Sequence, residues 1–133
     1  MAIDPHDLPP EVEQFLADRH LATFTVLANG VLHTTPVGFS WDREMAMARV
    51  ITWSGSVKVK RIEAAAEPVP VTLCQLDGGR WLTLEGAATV TADPDRCADA
   101  VSRYTERYQP PRQDRGADRR AIEVRVTRLL GRA

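Results

Sequence analysis

Ala48-Arg49-Val50-Ile51-Thr52-Trp53-Ser54-Gly55-Ser56-Val57-Lys58-Val59-Lys60-Arg61 is a β-like run that stops at Ser-Gly-Ser and restarts as a short helix carrying three cations. Valine, isoleucine, threonine and tryptophan suit a pleated, half-buried surface, and Ser56 is a good helix N-cap. The helix is expected from Val57 to about Ala66, with Pro68 closing it. Its first N–H groups are free or shared with the Ser56 hydroxyl, so the positive end of the helix dipole points outward. Lys58, Lys60 and Arg61 crowd that end. Each cation there costs roughly 0.3 to 1 kcal/mol at an exposed site, so three of them want a compensating anion, and phosphate is the natural one. The alternative is a basic turn that faces water and holds nothing.

On the N-terminal side, Pro9-Pro10 precedes a short helix whose Val12, Phe15 and Leu16 fall at i, i+3 and i+4. Leu21–Leu27 and Val31–Thr35 flank Asn29-Gly30, a hairpin signal. Pro36 cannot donate a ladder bond, so it marks an edge or a bulge before the strand resumes over Val37–Trp41. A turn at Asp42-Arg43-Glu44 leads into the third strand, Met45–Thr52. On the C-terminal side, Val69–Leu76 and a strictly alternating Arg80–Gly86, continuing to Thr91, form a second hairpin about Asp77-Gly78-Gly79. Asp93-Pro94 caps a helix to Tyr108 that keeps Cys97, Ala100, Val101, Tyr104 and Tyr108 on one face. A Pro- and Arg-rich connection follows, then a last strand from Arg120. Six mostly antiparallel strands with flanking helices can close into a small barrel, which removes exposed edges.

Length bounds the answer to one domain over residues 1–133, small enough that a large binding groove wants a second subunit. The net charge of −1 argues against a nucleic-acid binder that relies on a global positive field. No stretch reaches the length of a membrane span and the N-terminus carries no leader pattern, so a cytoplasmic protein without membrane attachment is expected. Cys74 and Cys97 have no metal-ligand spacing and read as buried, reduced thiols; His6, His20 and His33 are scattered, so no metal site is expected. His33 reads as a strand residue at a cleft rim, and no nucleophile–base arrangement assembles.

The order helix, Asn-Gly hairpin, Pro36-Val37-Gly38-Phe39 strand, Arg49-Val50-Ile51-Thr52 strand, Ser56-Val57-Lys58 helix and Asp77-Gly78-Gly79-Arg80-Trp81-Leu82-Thr83-Leu84-Glu85-Gly86 resembles the flavin-binding split-barrel superfamily of the pyridoxamine-phosphate oxidase type. The resemblance spans nearly the whole chain. Phe15-Leu16, Arg19-His20-Leu21-Ala22, Val37-Gly38-Phe39, Gly79-Arg80-Trp81-Leu82, Arg103-Tyr104, Arg107-Tyr108 and Pro111-Arg112 look most like the actinobacterial deazaflavin-dependent reductases that use coenzyme F-420, in the biliverdin reductase branch. The resemblance implies a mainly β, six-stranded antiparallel split barrel with flanking helices, working as a homodimer. It implies a cofactor phosphate over Ser56, Val57 and Lys58 and a tricyclic ring along Thr35, Pro36, Val37 and Val50, Ile51, Thr52. Trp81 and the Arg112 segment would approach the cofactor held mainly by the other subunit. Many relatives carry an asparagine shortly after Ser-x-Lys, where this chain continues Val59-Lys60-Arg61-Ile62.

Between Arg103 and Arg120 six arginines face three acids, Glu106, Asp114 and Asp118. Arginine pairs carboxylates bidentately, so this segment suits a polyglutamylated cofactor tail or the propionates of a tetrapyrrole; its alternative is an exposed loop. Trp53 and Trp81 offer faces for a flat ring, or packing for the core and a dimer interface. The expected function is hydride transfer from reduced coenzyme F-420 to a conjugated anionic small molecule, biliverdin first, with Arg112 holding the substrate. The alternatives are a flavin mononucleotide (FMN) oxidoreductase and a cofactor or tetrapyrrole carrier without turnover.

Overall fold

Two tight turns set the hairpins in the computed structural model, which describes residues 2–133. Asn29 and Gly30 both take positive φ, 52° and 74°, the combination that matches the twist of the strands they join, β1 (Ala22–Ala28) and β2 (Val31–Val37). Gly78, at φ 60°, turns the chain together with Gly79 between β5 (Val69–Asp77) and β6 (Arg80–Thr91). With β3 (Ser40–Asp42), β4 (Met47–Trp53) and β7 (Arg119–Arg132), the strands form one antiparallel sheet in the order β2-β1-β5-β6-β7-β4-β3.

The two edges of that sheet, β2 and β3, are joined by only Gly38 and Phe39. Two residues span no more than about 7 Å, so the sheet has to roll until its edges nearly meet. No ladder closes the gap. The seam is held instead by the end of α3 (Pro94–Arg107) and the residue after it. The Tyr108 hydroxyl donates to the His20 carbonyl at 2.6 Å and accepts from the Phe39 N–H at 3.1 Å. Arg107 donates to the carbonyls of Asp18 (2.9 Å) and Phe39 (2.7 Å) and to Gln75 Oε1 (2.9 Å). Gly38 has no room for a side chain, because a Cβ there would lie 2.9 Å from Tyr104 and 3.1 Å from Tyr108.

Inside the roll, Phe24, Val26, Leu73, Leu82, Leu84, Ile122, Val124 and Leu129 form one core. Helix α1 (Pro10–Ala17) contributes Val12, Phe15 and Leu16, and α2 (Val57–Glu63) contributes Val59 and Ile62. Outside, α3 covers β4 and β7, so β7 is buried on both faces from Ala121 to Val124. Beneath α3, buried Arg49 bonds Asp42 at 2.8 Å and approaches Glu123 at 3.9 Å. Arg96 also binds Glu123, and Arg103 reaches Asp42 at 3.5 Å.

Several expectations are corrected. The sheet has seven strands, because the expected second strand breaks at Gly38-Phe39 and its two halves lie on opposite edges of the sheet. Of the two alternatives at Pro36 the edge holds and the bulge does not: it stays within β2, opposite Thr23, on an edge that borders only β1. The bulge lies at Glu85/Gly86 instead, where a side chain on Gly86 would collide with the Arg125 carbonyl. Helix α2 stops at Glu63 rather than near Ala66. Cys74 is half-exposed on β5, whereas Cys97 is buried; both thiols are free. Among the described residues no helix is long and apolar enough to cross a membrane.

Candidate functional site

A cleft of about 410 Å³ opens beside the seam. Pro36, Val37 and Gly38 form one wall, and Val50, Ile51, Thr52 and Trp53 at the end of β4 form another. Lys58 reaches in from α2 and Tyr104 from α3, and Pro111, Arg112, Gln113, Arg115 and Arg119 close the third side. The seam therefore does more than finish the fold: it brings β2 and β4, strands far apart in the sheet order, to one concave surface.

Six residues expected to hold a cofactor meet in this cleft: Pro36, Val37, Val50, Ile51, Thr52 and Lys58; Arg112 joins them. Four others lie apart from its lining. Thr35 precedes Pro36 on β2, Ser56 is buried and caps α2 by accepting from the Val59 N–H at 3.3 Å, and Val57 is exposed. Trp81 stands at the far end of β6, paired with Arg132, and lines no part of this chain's cleft. His33 pairs across from Val26 on β2, also away from the lining.

The charge argument at α2 changes with its length. In a helix of seven residues Lys60 and Arg61 fall in the last turn, where cations suit the dipole. Only Lys58 remains at the unfavourable end. It is half-buried, has no acidic partner among the described residues, and burial lowers its ammonium below the ordinary lysine range. Among the described residues Arg112, Arg115 and Arg119 likewise form no ion pair within 4.0 Å. Burial, and then the charge of Arg115, lowers the guanidinium of Arg119. Arg119 donates to the Thr52 carbonyl at 3.3 Å and to the Gln113 carbonyl at 2.8 Å, tying the arginine-rich segment to β4. Four cations thus share one cleft without a counter-ion.

Three buried hydroxyls, Thr35 Oγ1, Ser40 Oγ and Thr52 Oγ1, have no hydrogen-bond partner among the described residues. A buried hydroxyl left unpaired is costly, and Thr52 lines the cleft, so a ligand with a polar edge fits it. Apolar walls from Val37, Val50 and Ile51 beside that hydroxyl and the unpaired cations suit a flat heterocycle with an anionic tail. Sequence reasoning gave no site role to Gly38, Tyr104, Gln113 or Pro111. Tyr104 read as part of an apolar helix face and of the Arg103-Tyr104 motif that carried the resemblance, and nothing local to it signals that it ends at a seam. Among the described residues no three His, Cys, Asp or Glu side chains gather as a metal site would require.

A rolled antiparallel sheet with its two edges stitched by a helix, and a cation-lined cleft beside the stitch, defines a split barrel. The chain belongs to the pyridoxamine 5'-phosphate oxidase family, whose model matches residues 8–132. It is 44% identical to the biliverdin reductase of Mycobacterium tuberculosis that depends on reduced F-420, over 90% of this chain and 84% of that protein. The fold is similar to that of an F-420 reductase (TM-score 0.73, 23% identity, 92% of this chain and 98% of that one). It is also similar to a conserved hypothetical protein from Mycobacterium tuberculosis (TM-score 0.75, 18% identity, 96% and 86%).

Proposed function

We propose that this protein is a coenzyme F-420-dependent reductase that passes a hydride to a conjugated, anionic small molecule, with biliverdin as the substrate. The observation that carries the reading is the cleft itself: Lys58, Arg112, Arg115 and Arg119 line it with no acid to pair them. The 44% identity to a reductase of that cofactor and substrate supports the choice among anionic ligands.

Lys58, with Ser56 and Val57 beside it, would hold the cofactor phosphate. Thr52 would hydrogen-bond the ring edge, and Pro36, Val37, Val50 and Ile51 would form its dry walls, with Thr35 alongside. A bound deazaflavin supplies the hydride. The protein's part is orientation and exclusion of water, which fits a cleft without a nucleophile–base pair. Arg112 would fix a substrate carboxylate, and a second subunit would bring its Trp81 toward the cofactor. Two free thiols suit the reducing cytoplasm, where the protein would work as a homodimer.

The deciding experiment titrates purified protein separately with coenzyme F-420, FMN and biliverdin, followed by a turnover assay with the reduced deazaflavin. Micromolar or tighter binding of F-420, weak binding of FMN and loss of the biliverdin absorbance band are expected. Tight FMN binding with no F-420 binding would assign the cleft to a flavin. Binding of both F-420 and biliverdin without turnover would make the protein a carrier.

A further inference from the structure

Trp53 is the large aromatic side chain at the mouth of the cleft, and it is 38% exposed. The guanidinium carbon of Arg115 lies 4.6 Å from its ring centroid. This stack is held in place from both sides. The Ser54 N–H donates to the Asp118 carbonyl at 3.0 Å, and the Ser54 hydroxyl bonds the Asp118 carboxylate. Arg119 holds the Gln113 carbonyl on the other side of Arg115. Arg115 is therefore presented to the cleft on a fastened segment, with no carboxylate partner of its own.

An indole face and an unpaired guanidinium at one mouth ask for two things at once: a conjugated ring to stack and an anionic group to pair. We propose that Trp53 and Arg115 form the recognition clamp for the hydride acceptor, selecting a flat conjugated carboxylate. This rests on the reductase reading above. The indole stacks the conjugated ring on the face that Arg115 leaves free while Arg115 pairs one carboxylate, and Arg112, on the same wall, is available for a second. The clamp sets which acceptor enters and how its ring lies. It takes no part in holding the cofactor phosphate, which falls to Lys58.

The test compares biliverdin with its dimethyl ester, in which both propionates are neutral, as acceptors at saturating reduced coenzyme F-420. Wild type should prefer the diacid. Arg115→Ala should shrink that preference at least fivefold by raising KM for the diacid, with kcat and KM for the ester little changed. Trp53→Leu should raise KM about equally for both forms, because the ring is common to them, and Trp53→Phe should restore most of the loss. Deazaflavin fluorescence titrations should give each variant the F-420 affinity of wild type, which separates clamp loss from misfolding. An Arg115→Ala enzyme with the wild-type preference, or a Trp53→Leu enzyme with unchanged KM, overturns the clamp alone. Wild type that binds F-420 yet neither binds nor reduces biliverdin overturns the substrate reading and the clamp with it.

Discussion

At the scale of single residues, the cleft is distinguished by charges that lack partners. Lys58 is the clearest case, because α2 is too short to place its other two cations at the same end. A charge-assisted hydrogen bond contributes about 1.5 to 3 kcal/mol, so Lys58→Ala should weaken F-420 binding roughly tenfold to a hundredfold. Circular dichroism should show an intact fold, since the side chain is only half-buried and has no acidic partner among the described residues. Unchanged affinity would move the phosphate elsewhere. Arg112 is exposed and belongs to the opposite wall, so its loss should act differently. Arg112→Ala is expected to raise KM for biliverdin with little change in kcat, the pattern of an interaction made equally in ground and transition states. The wild type should also show the steeper loss of affinity with added salt. A large fall in kcat at constant KM would instead give Arg112 a role in the hydride step.

At the scale of elements, α3 does two jobs, closing the seam with its last turn and burying charge beneath its body. Burial alone would raise the Asp42 carboxyl, but the Arg49 hydrogen bond, the Met45 N–H and the charges of Arg103 and Arg49 together hold it below 3.8. An acid lowered on folding contributes stability that is complete above its unfolded value and is lost as pH falls through the folded one. Wild type should therefore lose stability below about pH 4, and Asp42→Asn should flatten that part of the denaturation profile while costing about 3 kcal/mol at neutral pH. Urea melts of both proteins from pH 6 to pH 3 would measure it; parallel slopes would remove Asp42 from the acid response. None of this network was visible in the chain, where Asp42, Arg49, Arg96, Arg103 and Glu123 look like ordinary surface charges. The hairpins were legible because Asn29-Gly30 and Gly78-Gly79 act within two residues. Pro36, Val37, Val50, Ile51, Thr52 and Lys58 were legible as a group only through the resemblance in element order. Tyr104 and Gly38 were not, because their contact depends on a sheet rolling until its first and last edges meet.

At the scale of the whole molecule, the sheet is covered unevenly. Helix α3 lies across β4 and β7, whereas the outer face of β1, β2, β5 and β6 is bare and carries Leu27, Leu32, Leu76 and Trp81, each at least 40% exposed. These side chains are the outward partners of the buried alternation in the same strands, so their exposure follows from the fold and no rotamer change can hide them. A groove lined by Leu27, Leu32, Pro70, Ala87 and Thr127 lies on this face at the Leu27 and Leu32 end. An apolar face of this extent on a small domain marks an association surface, and a stable dimer needs about 800 Å² from each partner. That is close to a tenth of the 7492 Å² this chain exposes. Light scattering at low micromolar concentration should accordingly report twice the 14.8 kDa chain mass. Leu32→Glu, which places a charge on the edge strand of the bare face beside Leu27 without touching the core, should yield a folded monomer. If Trp81 of one subunit reaches the cofactor of the other, that monomer should also bind F-420 at least tenfold more weakly, although its own Lys58 and Thr52 are intact. A Leu32→Glu monomer with wild-type affinity would confine the cofactor to one chain and leave Trp81 a purely interfacial residue; a Leu32→Glu protein that stays dimeric would place the interface on another face.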